Sequence, residues 1–286
     1  MNAHIRSFFH EPTFTISYLV SDPETGAAAV IDPVLDFDQK SGRTGTDFAD
    51  EVLVAAKAEG HRIDWILETH AHADHLSAAQ HIKAHTGAKV VIGAEIGRVQ
   101  TVFKDVFNAT EMPVDGRQFD RLVSDGDRIA LGRLEFEVMH TPGHTPACVT
   151  YRIGDAAFIG DTLFMPDYGT ARADFPGGDA RTLYHSIRRI LSLPPETRLF
   201  LCHDYKAPGR DVFVWQTTVA EQRARNRQVH DGISEEEFVT LRTKRDRELD
   251  MPVLILPSIQ VNMRAGNMPP ADTNGTVYLK LPVDRL

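Results

Sequence analysis

The feature that most constrains this chain is His70-Ala-His72-Ala-Asp74-His75, which sets four potential metal ligands within six positions. Crowding three imidazoles and a carboxylate together is unfavourable without a cation, and the small Ala71 and Ala73 leave the four side chains room to converge. The preceding run, IDWILET over residues 63 to 69, is short, apolar and β-branched, so it predicts a buried strand with the cluster on the loop beyond it. One histidine in such a loop is ordinarily solvated or hydrogen-bonded; a set this dense points to a metal.

Three later segments each offer one more ligand after a predicted strand: His144 in TPGHT, Asp161 in GDTLF and His203 in LCHDY. Each alone has an ordinary reading, because Pro-Gly and Gly-Asp are common turn pairs and a histidine can cap backbone groups. Their shared placement at strand ends joins them to the first cluster. With 13 histidines and only 2 cysteines, the chain favours nitrogen and oxygen ligands over a thiolate zinc site or a disulfide framework. Cys148 and Cys202 read as small buried apolar side chains, and a reducing cytoplasm is the expected compartment.

The 286 residues, 42% hydrophobic and 25% charged, are enough to bury a sizeable core. The expected division is a metal-binding core over residues 1–210 and a helical cap and tail over 211–286. A net charge of -9 argues against general nucleic-acid binding, which needs a basic surface. No apolar run reaches the roughly 18 residues of a spanning helix, and the opening residues lack a signal-peptide pattern, so a soluble, unprocessed protein is expected.

Along the chain, residues 8–20 and 27–34 read as two strands around the turn SDPETG. A helix capped at Thr46 or Asp47 ends at Gly60. A helical stretch over 75–87, a strand over 88–93, a helix from Ala94 and strands over 128–144, 147–153 and 156–164 follow. Helix returns over 181–193, strand over 198–204, and a charged stretch from Val212 to Leu249 has helical spacing. The charges of SEEEF and RTKRDRELD read as a solvated helix face without a function, the acids near a helix N-terminus where the dipole favours them.

With these residues in this order, the chain resembles the metallo-β-lactamase superfamily. Its HxHxDH motif and later His, Asp and His are matched by His70, His72, Asp74, His75, His144, Asp161 and His203. The resemblance implies an α/β protein, a four-layer αβ/βα sandwich with the site at one edge and a small C-terminal helical extension. TPGHT and GDTLF look like glyoxalase II and the persulfide dioxygenases, both of which act on glutathione adducts. GTARADFPGG (169–178) and VNMRAG (261–266) resemble the dioxygenase segments Gly-Arg-x-Asp-Phe and NMRCG. The chain departs from them at Thr170-Ala171, where Cys-Gly is usual, at Ala265, where Cys is usual, and in extra residues within GDTLFMPDYG; no departure falls on a ligand position.

The dioxygenase resemblance implies one Fe(II) per chain held by His70, His144 and Asp161, with His72, Asp74, His75 and His203 supporting it. Glutathione persulfide and O2 are the implied substrates, sulfite and glutathione the products. The hydrolase resemblance implies two zinc or mixed zinc and iron ions. His70, His72 and His144 would hold one, Asp74, His75 and His203 the other, and Asp161 would bridge them for thioester hydrolysis. By position, Arg172 and Tyr205 are the glutathione-binding candidates, with Arg264 and Arg210 behind them, since an arginine fork can hold a carboxylate at two points. The family also suggests a homodimer, while the acidic charge and the lack of a spanning segment leave no nucleic-acid or membrane partner expected.

Overall fold

The computed structural model describes residues 2–285. Its first half contains β1 (His4–His10), β2 (Thr15–Ser21), β3 (Ala27–Ile31), β4 (Val34–Asp38), β5 (Arg43–Gly45), α1 (Asp47–Ala58), β6 (Arg62–Leu67), β7 (Leu76–Ser77), α2 (Ala79–Thr86), β8 (Lys89–Gly93), α3 (Ile96–Val106) and β9 (Arg121–Val123). The second half runs through β10 (Arg128–Leu131), β11 (Leu134–His140), β12 (Val149–Ile153), β13 (Ala156–Phe158), α4 (Ala180–Ile190), β14 (Arg198–Phe200), β15 (Gln216–Thr218), α5 (Val219–Arg225), α6 (Glu235–Asp246) and α7 (Ile255–Asn262).

Two six-stranded sheets result, ordered β1-β2-β3-β6-β8-β9 and β10-β11-β12-β13-β14-β15, with a small sheet β5-β4-β7 beside them. Strand alternation explains the layers. In β3, Ala27, Ala29 and Ile31 face the core between the sheets, while Ala28 and Val30 face the core beneath the first-half helices. β8 repeats the pattern, with Val91 on one side and Val90 and Ile92 on the other. In β13, Phe158 points between the sheets and Ala157 points to a third core with Leu183 and Ile187 of α4 and Phe238 of α6. Each large apolar side chain buried this way contributes roughly 1.5–3 kcal/mol. The four-layer αβ/βα order is the one the resemblance implies.

Three local expectations need correction. Residues 8–20 are two strands, not one: Pro12 sits in a 3-10 turn over Glu11–Thr13, Phe14 takes a left-handed φ of 56°, and the chain reverses so that His10 pairs with Thr15. The helix expected from His75 starts at Ala79, because Leu76 and Ser77 pair with β4. The stretch from Val212 is not uniformly helical. Gln216–Thr218 pairs antiparallel with β14, so the second sheet continues past residue 210.

Ligand positions follow strand ends: His70 to His75 after β6, His144 after β11, Asp161 after β13 and His203 after β14. Two glycines let these loops meet. A Cβ on Gly143 (φ 134°) would lie 2.3 Å from the Leu183 backbone, and one on Gly160 (φ 51°) would lie 2.6 Å from Thr69 Oγ1. No described helix is long and apolar enough to cross a membrane.

Candidate metal centre

Three histidines of the site have tautomers set by their outer nitrogens. Thr69 Oγ1 donates to Asp32 Oδ2 at 2.8 Å, so the same hydroxyl accepts from His70 Nδ1 at 3.0 Å. His144 Nδ1 donates to the Arg172 carbonyl at 2.9 Å, and His203 Nδ1 to the Phe14 carbonyl at 3.3 Å. A neutral ring that donates through Nδ1 presents a lone pair at Nε2. In all three residues that lone pair points at carboxylate oxygen.

His70 Nε2 and His144 Nε2 lie 3.9 and 3.8 Å from Asp161 Oδ2. His203 Nε2 is 3.4 Å from both Asp161 Oδ1 and Asp74 Oδ2. Ligand atoms of His70, His144 and Asp161 lie within 4.8 Å of one another, as do those of His72, Asp74 and His75. Every expected metal-ligand position is thus brought together. His70 Nε2, His72 Nδ1, His75 Nε2, His203 Nε2 and Asp161 Oδ1 are buried without a hydrogen-bond partner, a costly state for polar atoms unless a cation meets them. Imidazole and carboxylate donors suit a divalent transition metal.

Charge balance points the same way at His70 and His72. Burial, with neighbouring imidazoles adding to it, holds His70 and His72 well below the usual histidine range, so both stay neutral and able to ligate. Burial pushes the Asp161 carboxyl up, against the opposing pull of His203 and His144. Asp74 goes the other way: burial works to raise it, but His203 and His75 together hold it well below the carboxylate range. Burial also works to lower His203, yet Asp74 and Asp161 raise it above its ordinary value.

The donors open into a cavity of about 1750 Å3 whose walls include Asp74, His144 and Asp161. Arg172 and Tyr205 line it too. The Arg172 fork is already engaged, Nε and Nη2 donating to Asp174 at 2.6 and 2.8 Å and Nη1 to the Asp250 carbonyl. Its carbonyl, not its guanidinium, reaches the centre. Tyr205 stacks on His203 with ring centroids 5.5 Å apart. Arg210 and Arg264 are not on the cavity wall. Arg210 clips Asp204 to Asp167, and the buried Arg264 pairs with Glu111.

Several supporting residues carried no sequence assignment. Asn262, inside the VNMRAG segment, donates from Nδ2 to the carbonyls of His72 and His75 and accepts from Ser77 N, each at 2.8 Å. It pins the ligand loop from α7. Only the motif could have flagged it, and there the arginine draws attention first. Asp32, behind Thr69 and 3.0 Å from His72 Nε2, lies in an Asp-Pro turn with no signal of its own. α6 is no plain solvated face: Leu241, Arg242, Lys244 and Arg245 border the cavity, and Arg242 and Asp246 are buried.

Comparison with known proteins agrees with this fold. The model of the metallo-beta-lactamase superfamily matches residues 11–203. A probable metallo-hydrolase of Burkholderia pseudomallei is 54% identical over 293 residues, covering 99% of each chain. The mitochondrial persulfide dioxygenase ETHE1 of Bos taurus is 34% identical over 270 residues, covering 93% of this chain and 90% of that one. The crystal structure of ETHE1 from Myxococcus xanthus superposes with a TM-score of 0.74 at 31% identity, over 92% of this chain and 100% of the other. The match over residues 11–203, on a four-layer fold whose strand-end loops bring the expected ligand residues together, makes this chain a member of the metallo-β-lactamase superfamily.

Proposed function

We propose that the chain is a glutathione-persulfide dioxygenase with one ferrous ion, held by His70, His144 and Asp161. The observation that carries this reading is the pair of anchored imidazoles converging with a single carboxylate, the two-histidine, one-carboxylate set of non-haem iron oxygenases. Likeness to persulfide dioxygenases over 93% of the chain supports it. When bound, iron supplies the redox chemistry that joins dioxygen to sulfur. Overall, glutathione persulfide, O2 and water give glutathione, sulfite and two protons.

The chain's own residues then bind and orient. Thr69 and the Arg172 carbonyl fix the ligand rings from outside. Tyr205 and Phe14, whose centroids are 5.7 Å apart, give the substrate an aromatic wall beside His203. Glutathione is dianionic at its carboxylates, and Asp174 occupies the Arg172 fork. The cations left for it are Arg43, Arg227 and Lys244, which line the cavity and form no ion pair among the described residues. The free, buried thiols of Cys148 and Cys202 suit a reducing cytoplasm.

A second reading, a glyoxalase II-type thioesterase with two ions, draws support from the grouping of His72, Asp74 and His75 and from likeness to a probable metallo-hydrolase. Oxygen uptake and thioester hydrolysis separate the two. Anaerobically iron-loaded protein should consume O2 with glutathione persulfide and release sulfite. Rapid cleavage of S-lactoylglutathione with no O2 uptake would replace the first reading with the second.

A further inference from the structure

His144 is oriented by one backbone carbonyl, that of Arg172, which lies just past the bridge of Thr170 to Leu163; after the Ala171 N to Thr162 carbonyl bond at 3.2 Å, no backbone bond among the described residues holds the chain until the turn at Phe175–Gly178. Gly169 and Gly177, with φ of 119° and 88°, flank the segment and make its backbone more permissive. Something else must fix it. α6 supplies two buried charges one turn apart, Arg242 at 2% exposure and Asp246 at 5%. Arg242 donates from Nε to Asp246 Oδ1 at 2.9 Å and from Nη1 to the Thr170 carbonyl at 3.1 Å. Asp246 Oδ2 accepts from Ala173 N at 3.0 Å. Gln228 Oε1 accepts from Thr170 N at 2.9 Å and Thr170 Oγ1 at 2.8 Å, and also lies 3.3 Å from Arg242 Nη1. The Thr170–Ala171 and Arg172–Ala173 peptide groups are therefore both held by one ion pair.

We propose that the Arg242–Asp246 pair is a positioning device for His144, clamping Thr170 and Ala173 so that the Arg172 carbonyl between them keeps the ring's Nε2 aimed at Asp161. The inference rests on His144 being a metal ligand, but not on which reaction the centre performs. A buried ion pair usually adds little stability over apolar residues of equal volume, so stability alone is a poor reason for it. Its backbone acceptor and donor on the loop give it another. Thr170, which departs from the family pattern, belongs to this clamp through its hydroxyl. Because α6 also walls the cavity, the clamp joins the substrate-facing helix to a ligand of the centre.

Cobalt(II) is a suitable probe, with affinity measured by chelator competition and ligand geometry by the visible spectrum of the loaded full-length protein. Asp246→Asn and Arg242→Lys should each weaken cobalt binding by about ten- to a hundredfold and shift the ligand-field bands. Thr170→Val, which removes only the hydroxyl, should give a smaller loss and remains available if the charged variants do not fold. Ser234→Ala removes the exposed cap of the same helix; it should lower Tm while affinity and spectrum stay those of wild type. In a His144→Ala background, Asp246→Asn should add no further loss. Wild-type affinity and spectrum in the folded clamp variants, or an equal loss in Ser234→Ala, would overturn the clamp. Undiminished cobalt binding by His144→Ala itself would instead remove His144 from the ligand set.

Discussion

The two halves of the ligand cluster are made from the same side chains but stand in different states. In the half formed by His70, His144 and Asp161, bare Nε2 atoms face Asp161 Oδ2 at 3.9 and 3.8 Å, too far for a hydrogen bond. In the other half the carboxylate sits closer to the rings. Asp74 Oδ2 lies 3.2 Å from His75 Nδ1 and 3.4 Å from His203 Nε2, and, against its burial, those two rings hold the Asp74 carboxyl well below the usual carboxylate range. The first half has anchored rings around a carboxylate that none of them hydrogen-bonds; in the second the carboxylate already meets a ring nitrogen. The proposed one-ion centre places its metal in the first half.

Removing a donor from each half is the strongest test of the difference. Asp161→Ala and His144→Ala should lose bound metal and at least about a hundredfold in turnover, whereas His75→Ala and His203→Ala should keep about one ion per chain and lose nearer tenfold, the scale of supporting groups. Elemental analysis beside kcat checks both; equal metal loss in the two sets would erase the distinction. Next in size is Asn262→Ala, which strips three buried hydrogen bonds from the ligand loop and should lower stability by about 2–4 kcal/mol, read by urea denaturation.

Thr69→Val sharpens the first half alone. Losing the hydroxyl between Asp32 and His70 should weaken metal binding about tenfold while the second half is untouched, as chelator competition would show. The smallest effect belongs to the cavity rim. Lys244→Ala should raise KM for glutathione persulfide by up to about fivefold with kcat unchanged, consistent with about 1 kcal/mol for an exposed charge, and the effect should fade in high salt.

How far the sequence could be read depended on the signal each feature leaves. The candidate ligands were legible because HAHADH is dense and because His144, Asp161 and His203 each follow an apolar strand. The four-layer order followed from the resemblance and from alternating strands. What stayed hidden lacked a pattern. β15 has three residues, too few to alternate, and the break at Pro12 lies inside an otherwise strand-like run. Arg242 and Asp246 look like any i, i+4 pair on a charged helix, and only tertiary packing turns them inward. Arg172 matched a motif, but a motif does not reveal that Asp174, two residues on, already holds its fork.

Iron per chain in anaerobically purified protein, measured on wild type beside Asp161→Ala, tests the one-ion centre most directly. About one iron per wild-type chain and almost none in Asp161→Ala is the expected result. Two ions per wild-type chain would contradict it.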